Sequence, residues 1–271
     1  MNRIIVGYDG RPPSEDAVAL GTLLAPPLNA RIMLATVGGG PEGTEIAPPD
    51  RDLDVCRIEG SSPARALDEL VRAEGAVLVV LGSTHRGQLG RIYPGSVAER
   101  LLSGGPCAIA VAPRGYAERV TDRLRVIEVG FDGSAESYGA LACAVALALA
   151  AGATLRIFAV FEAGSDVQGP LAIHARSELD DRLRAAVDEI PDELRPLSRL
   201  VDGDAVRVLV SEAEVGVDLL VLGSRSYGPL AAALLGGVSS RVLRGAPCPV
   251  LVLPRGRWPG DQALGAPERE S

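Results

Sequence analysis

The chain has 271 residues, 47% of them hydrophobic and 23% charged, which is a globular composition and excludes a disordered polymer. Aromatic residues make up only 3%, so the core must be built from Ala, Val and Leu. A net charge of −8 argues against the basic footprint that a nucleic-acid or anionic-membrane partner requires.

The segment MNRIIVGYDG carries no basic-then-apolar leader, so no signal peptide is expected. Arg3–Tyr8 is a short β-branched run ending near Gly and Asp, and reads as a strand. Ser14–Leu24 is rich in Ala and Leu, with Glu15 and Asp16 early, which suits a helix N-terminus. Ala30–Val37 and Leu53–Ile58 read as the second and third strands. Ser61-Ser62-Pro63 opens a helix that runs to about Glu74, with Ser as cap and Pro in the first turn. Ala76–Leu81 is continuously apolar, as a strand covered on both faces should be. Gly95–Ser103 reads as a helix closed by Gly104-Gly105, and Cys107–Val111 as the last strand.

The order then repeats. Gly7, Asp9, Ser14 and Val37 match Gly130, Asp132, Ser137 and Val160 at an offset of 123. Gly82, Gly95, Pro106-Cys107 and Pro113-Arg114-Gly115 match Gly223, Gly236, Pro247-Cys248 and Pro254-Arg255-Gly256 at an offset of 141. The change from 123 to 141 marks an insertion of 18 residues in the second copy. Within it, Ile173–Ile190 has helical spacing of its apolar residues. Strands of the second copy fall near Arg125–Phe131, Thr154–Phe161, Leu197–Val201, Asp218–Leu222 and Pro249–Leu253. The long uncharged stretch Ser137–Leu155 reads as a buried helix and not as a membrane span.

Each copy is domain-sized, so the repeat is a tandem duplication and not a solenoid. Alternating strands and helices with apolar strands give an α/β class: two tandem open parallel-sheet, doubly wound domains. Residues 1–113 form the first domain, 114–124 a linker, 125–255 the second domain, and 256–271 a tail expected to be disordered.

Composition narrows the chemistry. All 27 basic residues are Arg, so the chain has no Schiff-base amine and no Walker A lysine. The four cysteines form no C-x-x-C pair, and His85 and His174 are the only histidines, so no metal constellation is expected. A reducing cytoplasmic setting fits this cysteine usage.

In an open parallel sheet, ligands bind beyond the carboxyl ends of the strands at the switch of strand order. Asp9 follows strand one, where its carboxylate can accept hydrogen bonds from an adenine or ribose edge, or simply shape the turn. Strand four runs into Gly82-Ser83-Thr84-His85-Arg86-Gly87, with Gly95-Ser96 starting a helix beyond. A glycine turn and a small-residue helix start offer backbone N–H groups to a phosphate. The second copy offers Gly223-Ser224-Arg225-Ser226 and then Gly236-Gly237. Val37 and Val160 end their second strands, where they either flank a base or are ordinary strand residues.

The Asp-x4-Ser pattern after strand one, and the stretches GSTHRGQLGRIYPGSVAERLLSGGPCAIAVAPRG and GSRSYGPLAAALLGGVSSRVLRGAPCPVLVLPRG, resemble the universal stress protein family in its tandem form. The likeness covers nearly all of residues 1–256. It implies a flavodoxin/HUP-like α/β sandwich, ATP binding in many members, self-association through the last strand and a role in stress survival. The family's ATP-binding form is G-x2-G-x9-G-S/T. Its second glycine falls on His85 and on Ser226, and the hydroxyl after its third glycine becomes Gly237 in the second copy. The resemblance places Asp9 and Val37, with Asp132 and Val160, on the base side. It places Gly82, Thr84, His85, Gly95 and Ser96 along one phosphate loop, and Gly223, Arg225, Ser226, Gly236 and Gly237 along the other.

The leading reading is a cytoplasmic stress-response regulator that binds an adenine nucleotide, ATP with or without Mg²⁺, in one or both domains without efficient turnover. It is not an enzyme, since no base, metal box or Lys is placed to drive phosphoryl transfer. The alternative is a nucleotide-free scaffold acting through protein pairing. An adenylating enzyme is the least favoured reading: Ser103-Gly104-Gly105 looks like a pyrophosphate loop but stands before the last strand. Unpaired apolar last strands invite pairing, so the two copies should join them within one chain as a pseudo-dimer, with a further homodimer also open. That pairing is expected to bring Cys107 near Cys248, as two buried thiols and not a disulfide.

Overall fold

The computed structural model describes residues 1–38, 53–84, 88–162, 169–224 and 237–254. Ten strands form one sheet in the order β3-β2-β1-β4-β5-β10-β9-β6-β7-β8. In the first half they are β1 (Asn2–Gly7), β2 (Ala30–Gly38), β3 (Asp54–Glu59), β4 (Leu78–Gly82) and β5 (Ala108–Ala112). In the second they are β6 (Val126–Phe131), β7 (Thr154–Phe161), β8 (Leu197–Asp202), β9 (Leu219–Gly223) and β10 (Val250–Leu253). Pairing is parallel within each half. The one antiparallel junction is between β5 and β10.

Burial follows this order. The central β4, β5, β9 and β10 are apolar and covered on both faces, while β3 and β8 at the ends are largely exposed. Helices α1 (Pro12–Leu24), α4 (Ala135–Ala151) and α5 (Pro170–Asp188) cover one face. Helices α2 (Pro63–Glu74), α3 (Ser96–Leu102), α6 (Ala205–Ala213) and α7 (Val238–Leu243) cover the other. The long uncharged stretch is therefore a core helix: α4 starts on Ser134, whose hydroxyl accepts from Ser137 N–H, and ends on left-handed Gly152. The inserted segment forms α5, on the β7-to-β8 crossover, and buries Leu183 and Ala186. Among the described residues, no helix is long and apolar enough to cross a membrane.

The β5–β10 register is symmetric. Ala110 faces Leu251, Ile109 faces Val252 and Val111 faces Val250. Ala110 and Leu251 occupy the same place in the two copies, so a local twofold passes between them. This corrects the expected meeting of the thiols. Cys107 and Cys248 lie on opposite sides of that axis, each three residues before the central pair, so about six strand rises or ~20 Å separate them. Both are buried and free.

Residues 114–124 are docked rather than loose. Buried Asp16 on α1 accepts from the N–H groups of Gly115 and Ala117 at 2.8 Å each, and Tyr116 and Leu124 are buried. Burial raises the Asp16 carboxyl above its ordinary range, against the pull of these N–H groups.

Candidate functional site

In the first half, strand order reverses between β1 and β4, since β2 and β3 lie to one side and β5 to the other. A cavity of about 450 Å³ opens at the carboxyl ends of these strands. This is where an open parallel sheet is built to hold a ligand, and the volume is that of a small-molecule site. Asp9, Val37, Gly82, Thr84, Gly95 and Ser96 all line it. His85 lies outside the described residues.

The two walls differ in character. On the β1–β2 side, Val37 and Ala35 give an apolar surface beside Asp9. Asp9 Oδ1 accepts from Arg11 N–H at 3.1 Å, and its Oδ2 faces Arg11 Nε at 3.9 Å. Asp9 thus shapes the turn while remaining an exposed carboxylate at the mouth. Arg11 is the one cationic residue in the described lining. Tyr8 backs this wall, donating from its hydroxyl to Glu15 Oε1 at 2.6 Å. Burial and that carboxylate push the phenol up to about 12.

On the β4–α3 side the lining consists of hydroxyls and glycines. Gly82 is required by close packing: a Cβ there would stand 1.7 Å from the carbonyl oxygen of Pro13 in α1. Ser83 is buried and clips the loop, accepting from Tyr93 N–H at 2.7 Å and donating to Tyr93 O at 3.1 Å. Thr84 N–H donates to Tyr93 O at 2.9 Å. The Thr84 hydroxyl is buried and has no hydrogen-bond partner among the described residues. Gly95 is the residue before α3, and a Cβ there would stand 3.1 Å from Thr84 Cγ2. Because α3 has only seven residues, its dipole contributes little, and the hydrogen-bonding groups themselves carry the polar character. Ser103–Gly105 closes the far end of α3 against Leu101 O, and so is a helix stop and not a ligand loop.

The residues missed in the sequence are those that complete the walls: Tyr8, Arg11, Pro13, Ala35, Leu67 and Leu81. Arg11 and Pro13 stand at the start of α1 and Leu67 inside α2, and no pattern in the sequence singles them out from their neighbours.

In the second half, Asp132 shapes its turn by accepting from Ser134 N–H at 3.0 Å. Val160 stands near the end of β7, Gly223 ends β9 and Gly237 precedes α7. Arg225, Ser226 and Gly236 lie outside the described residues. No group of three or more metal-ligating side chains occurs among the described residues.

The model of the universal stress protein family matches residues 48–113 and 124–254. The chain belongs to the universal stress protein family. One universal stress protein of Mycobacterium tuberculosis is 31% identical over 209 residues, covering 73% of this chain and 70% of the relative. Another from the same organism is 33% identical over 218 residues, covering 77% and 72%. The crystal structure of a putative universal stress protein from Pseudomonas aeruginosa superposes with a TM-score of 0.69 at 18% identity, covering 94% of this chain and 93% of that one. This last likeness concerns the fold of the present universal stress protein, whose tandem α/β architecture it shares.

Proposed function

We propose that this universal stress protein is a cytoplasmic stress-response regulator that holds an adenine nucleotide, ATP with or without Mg²⁺, in the first-half crevice. The observation that carries the reading is the cavity of about 450 Å³ at the switch of strand order, with an apolar wall and Asp9 on one side and hydroxyl-bearing and glycine residues on the other. Val37 and Ala35 suit the face of a base and Asp9 its polar edge. Thr84, Ser96 and Gly95 suit the phosphates, with Arg11 adding charge at the mouth. These groups bind and orient, and none is a base set against an attacking water. The site therefore suits retention of the nucleotide and not efficient turnover.

The exposed ends of the sheet favour a second reading, a scaffold that acts by pairing. β3 and β8 are largely exposed, and Val55 and Leu197 show 42% and 61% of their surface. A homodimer through such an end belongs to that reading.

A thermal-shift titration with ATP, with and without Mg²⁺, tests the first reading. At a hundred times its Kd, one bound ligand adds about 2.7 kcal/mol, or about 5–10 °C in a chain of this size. Gly95→Val should remove the shift, because the added side chain enters the space beside Thr84. No shift at millimolar ATP gives the scaffold reading the lead.

A further inference from the structure

The two halves share a topology, but they do not share a cavity wall. Ala35 lines the first-half cavity and pairs in register with Gly7. Its counterpart is Phe158, which pairs in register with Gly130. Phe158 is 5% exposed and belongs to the same packed cluster as Leu209 and Leu222. The leucine on the strand is about as close in both halves: a Cβ on Gly7 would meet Leu81 at 2.6 Å and one on Gly130 would meet Leu222 at 2.8 Å. The helix leucine is closer in the second half, Leu209 at 3.2 Å against Leu67 at 4.0 Å. A ring therefore stands where the first half has a methyl group.

The polar residues diverge as well. Arg11 becomes Ser134 and Pro13 becomes Glu136, so the turn into the first helix loses a cation and gains a carboxylate, while Thr84 becomes Arg225. Ser96 becomes Gly237, which removes a hydroxyl. Ala98, in the first-half lining, becomes Ser239. The Ser239 hydroxyl donates to Gly223 O at 2.7 Å, tying the first turn of α7 to the end of β9. In the first half, the corresponding Gly82 and Ala98 face a common cavity. Arg182 covers Gly133 from α5, a helix of the opposite layer.

We propose that the duplicated chain carries one nucleotide site, in the first half, and that Phe158 has turned the equivalent crevice of the second half into packed core. The inference rests on the nucleotide-binding reading and adds its stoichiometry and location. The second half keeps the fold and the β10 edge that completes the sheet, and it has given up the ligand.

Calorimetric titration of the full chain with Mg·ATP gives the number of sites, and hydrogen exchange with and without the nucleotide gives their place. One site per chain is expected, with amides protected at Gly82–Thr84 and Gly95–Ala98 and unchanged at Gly223 and Gly237–Ser240. Ala35→Phe should weaken binding by about a hundredfold, the size of an overfilled pocket. Phe158→Ala should leave first-site affinity within about twofold. Two sites per chain, or protection confined to the second half, overturns the inference and leaves nucleotide binding standing. No heat and no protection in the wild-type chain overturns both. The exchange map of the wild-type protein decides location even where Ala35→Phe fails to fold.

Discussion

Glu128 stands in the middle of β6, fully buried, with neither carboxylate oxygen hydrogen-bonded. The first half has Ile5 at this place, inside the apolar cluster. Burial raises the Glu128 carboxyl to about 7 from an ordinary 4.5; the guanidinium of Arg156 opposes the shift and the carboxylate of Glu212 adds to it. Arg156 is the in-register neighbour on β7, but it donates to Val215 O at 3.1 Å. A folded pKa above the unfolded one means that the native state binds the extra proton. Stability is therefore highest below about pH 4.5 as far as this group is concerned, and falls as pH rises toward 7. The full penalty is about 3 kcal/mol. Glu128→Gln should flatten the fall in melting temperature between these pH values and raise it at pH 8. An unchanged pH profile in a folded variant would refute the assignment.

At the scale of elements, the segment 88–94 joins the cavity to the rest of the molecule. Ser83 and Thr84 hold Tyr93 at its near end. Farther along, Ile92 N–H donates to Ala246 O at 3.1 Å in the second half. Arg91 donates to Gly245 O at 2.9 Å and to Glu214 at 2.5 Å. Gly90 and Arg91 exchange backbone bonds with Arg114 of the linker. One rim of the first-half cavity is thus positioned by the second half. The Arg91–Glu214 pair is partly exposed and worth under about 1 kcal/mol, and the bond to the carbonyl adds about as much. Arg91→Ala should speed amide exchange in residues 88–94 by about tenfold, while α1 and β1 keep their protection. Exchange unchanged across that segment would show that Ile92 and Ser83 suffice to hold it.

At the scale of the molecule, the antiparallel β5–β10 junction makes one sheet of two halves. Val111, Ala110, Val250 and Leu251 are all fully buried there. Neither end of this junction is then an open apolar edge, which is the hazard that an unpaired strand carries. Leu251→Asp would bury an unpartnered carboxylate at the local twofold, a change that costs several kcal/mol or more. The melting temperature should drop by more than about 10 °C. Amide protection should fall in β4 and β5 as well as in β9 and β10. A loss confined to the second half would show that the two halves unfold independently.

The sequence alone established the duplication, the strand-and-helix alternation and the family. It also picked out Asp9, Val37, Gly82, Thr84, Gly95 and Ser96, which line one cavity. These features are legible because they are local: strand ends, turn residues and helix starts are written in consecutive residues. The tertiary structure alone decided how β5 meets β10, and that register carries Cys107 away from Cys248. It alone showed that segment 88–94 reaches the second half, and that Ala35 lines a cavity while its counterpart, Phe158, brings a ring to the same register position. Pairing across an edge, and the space left beside a strand, depend on residues more than a hundred positions apart. No periodicity within either copy records them.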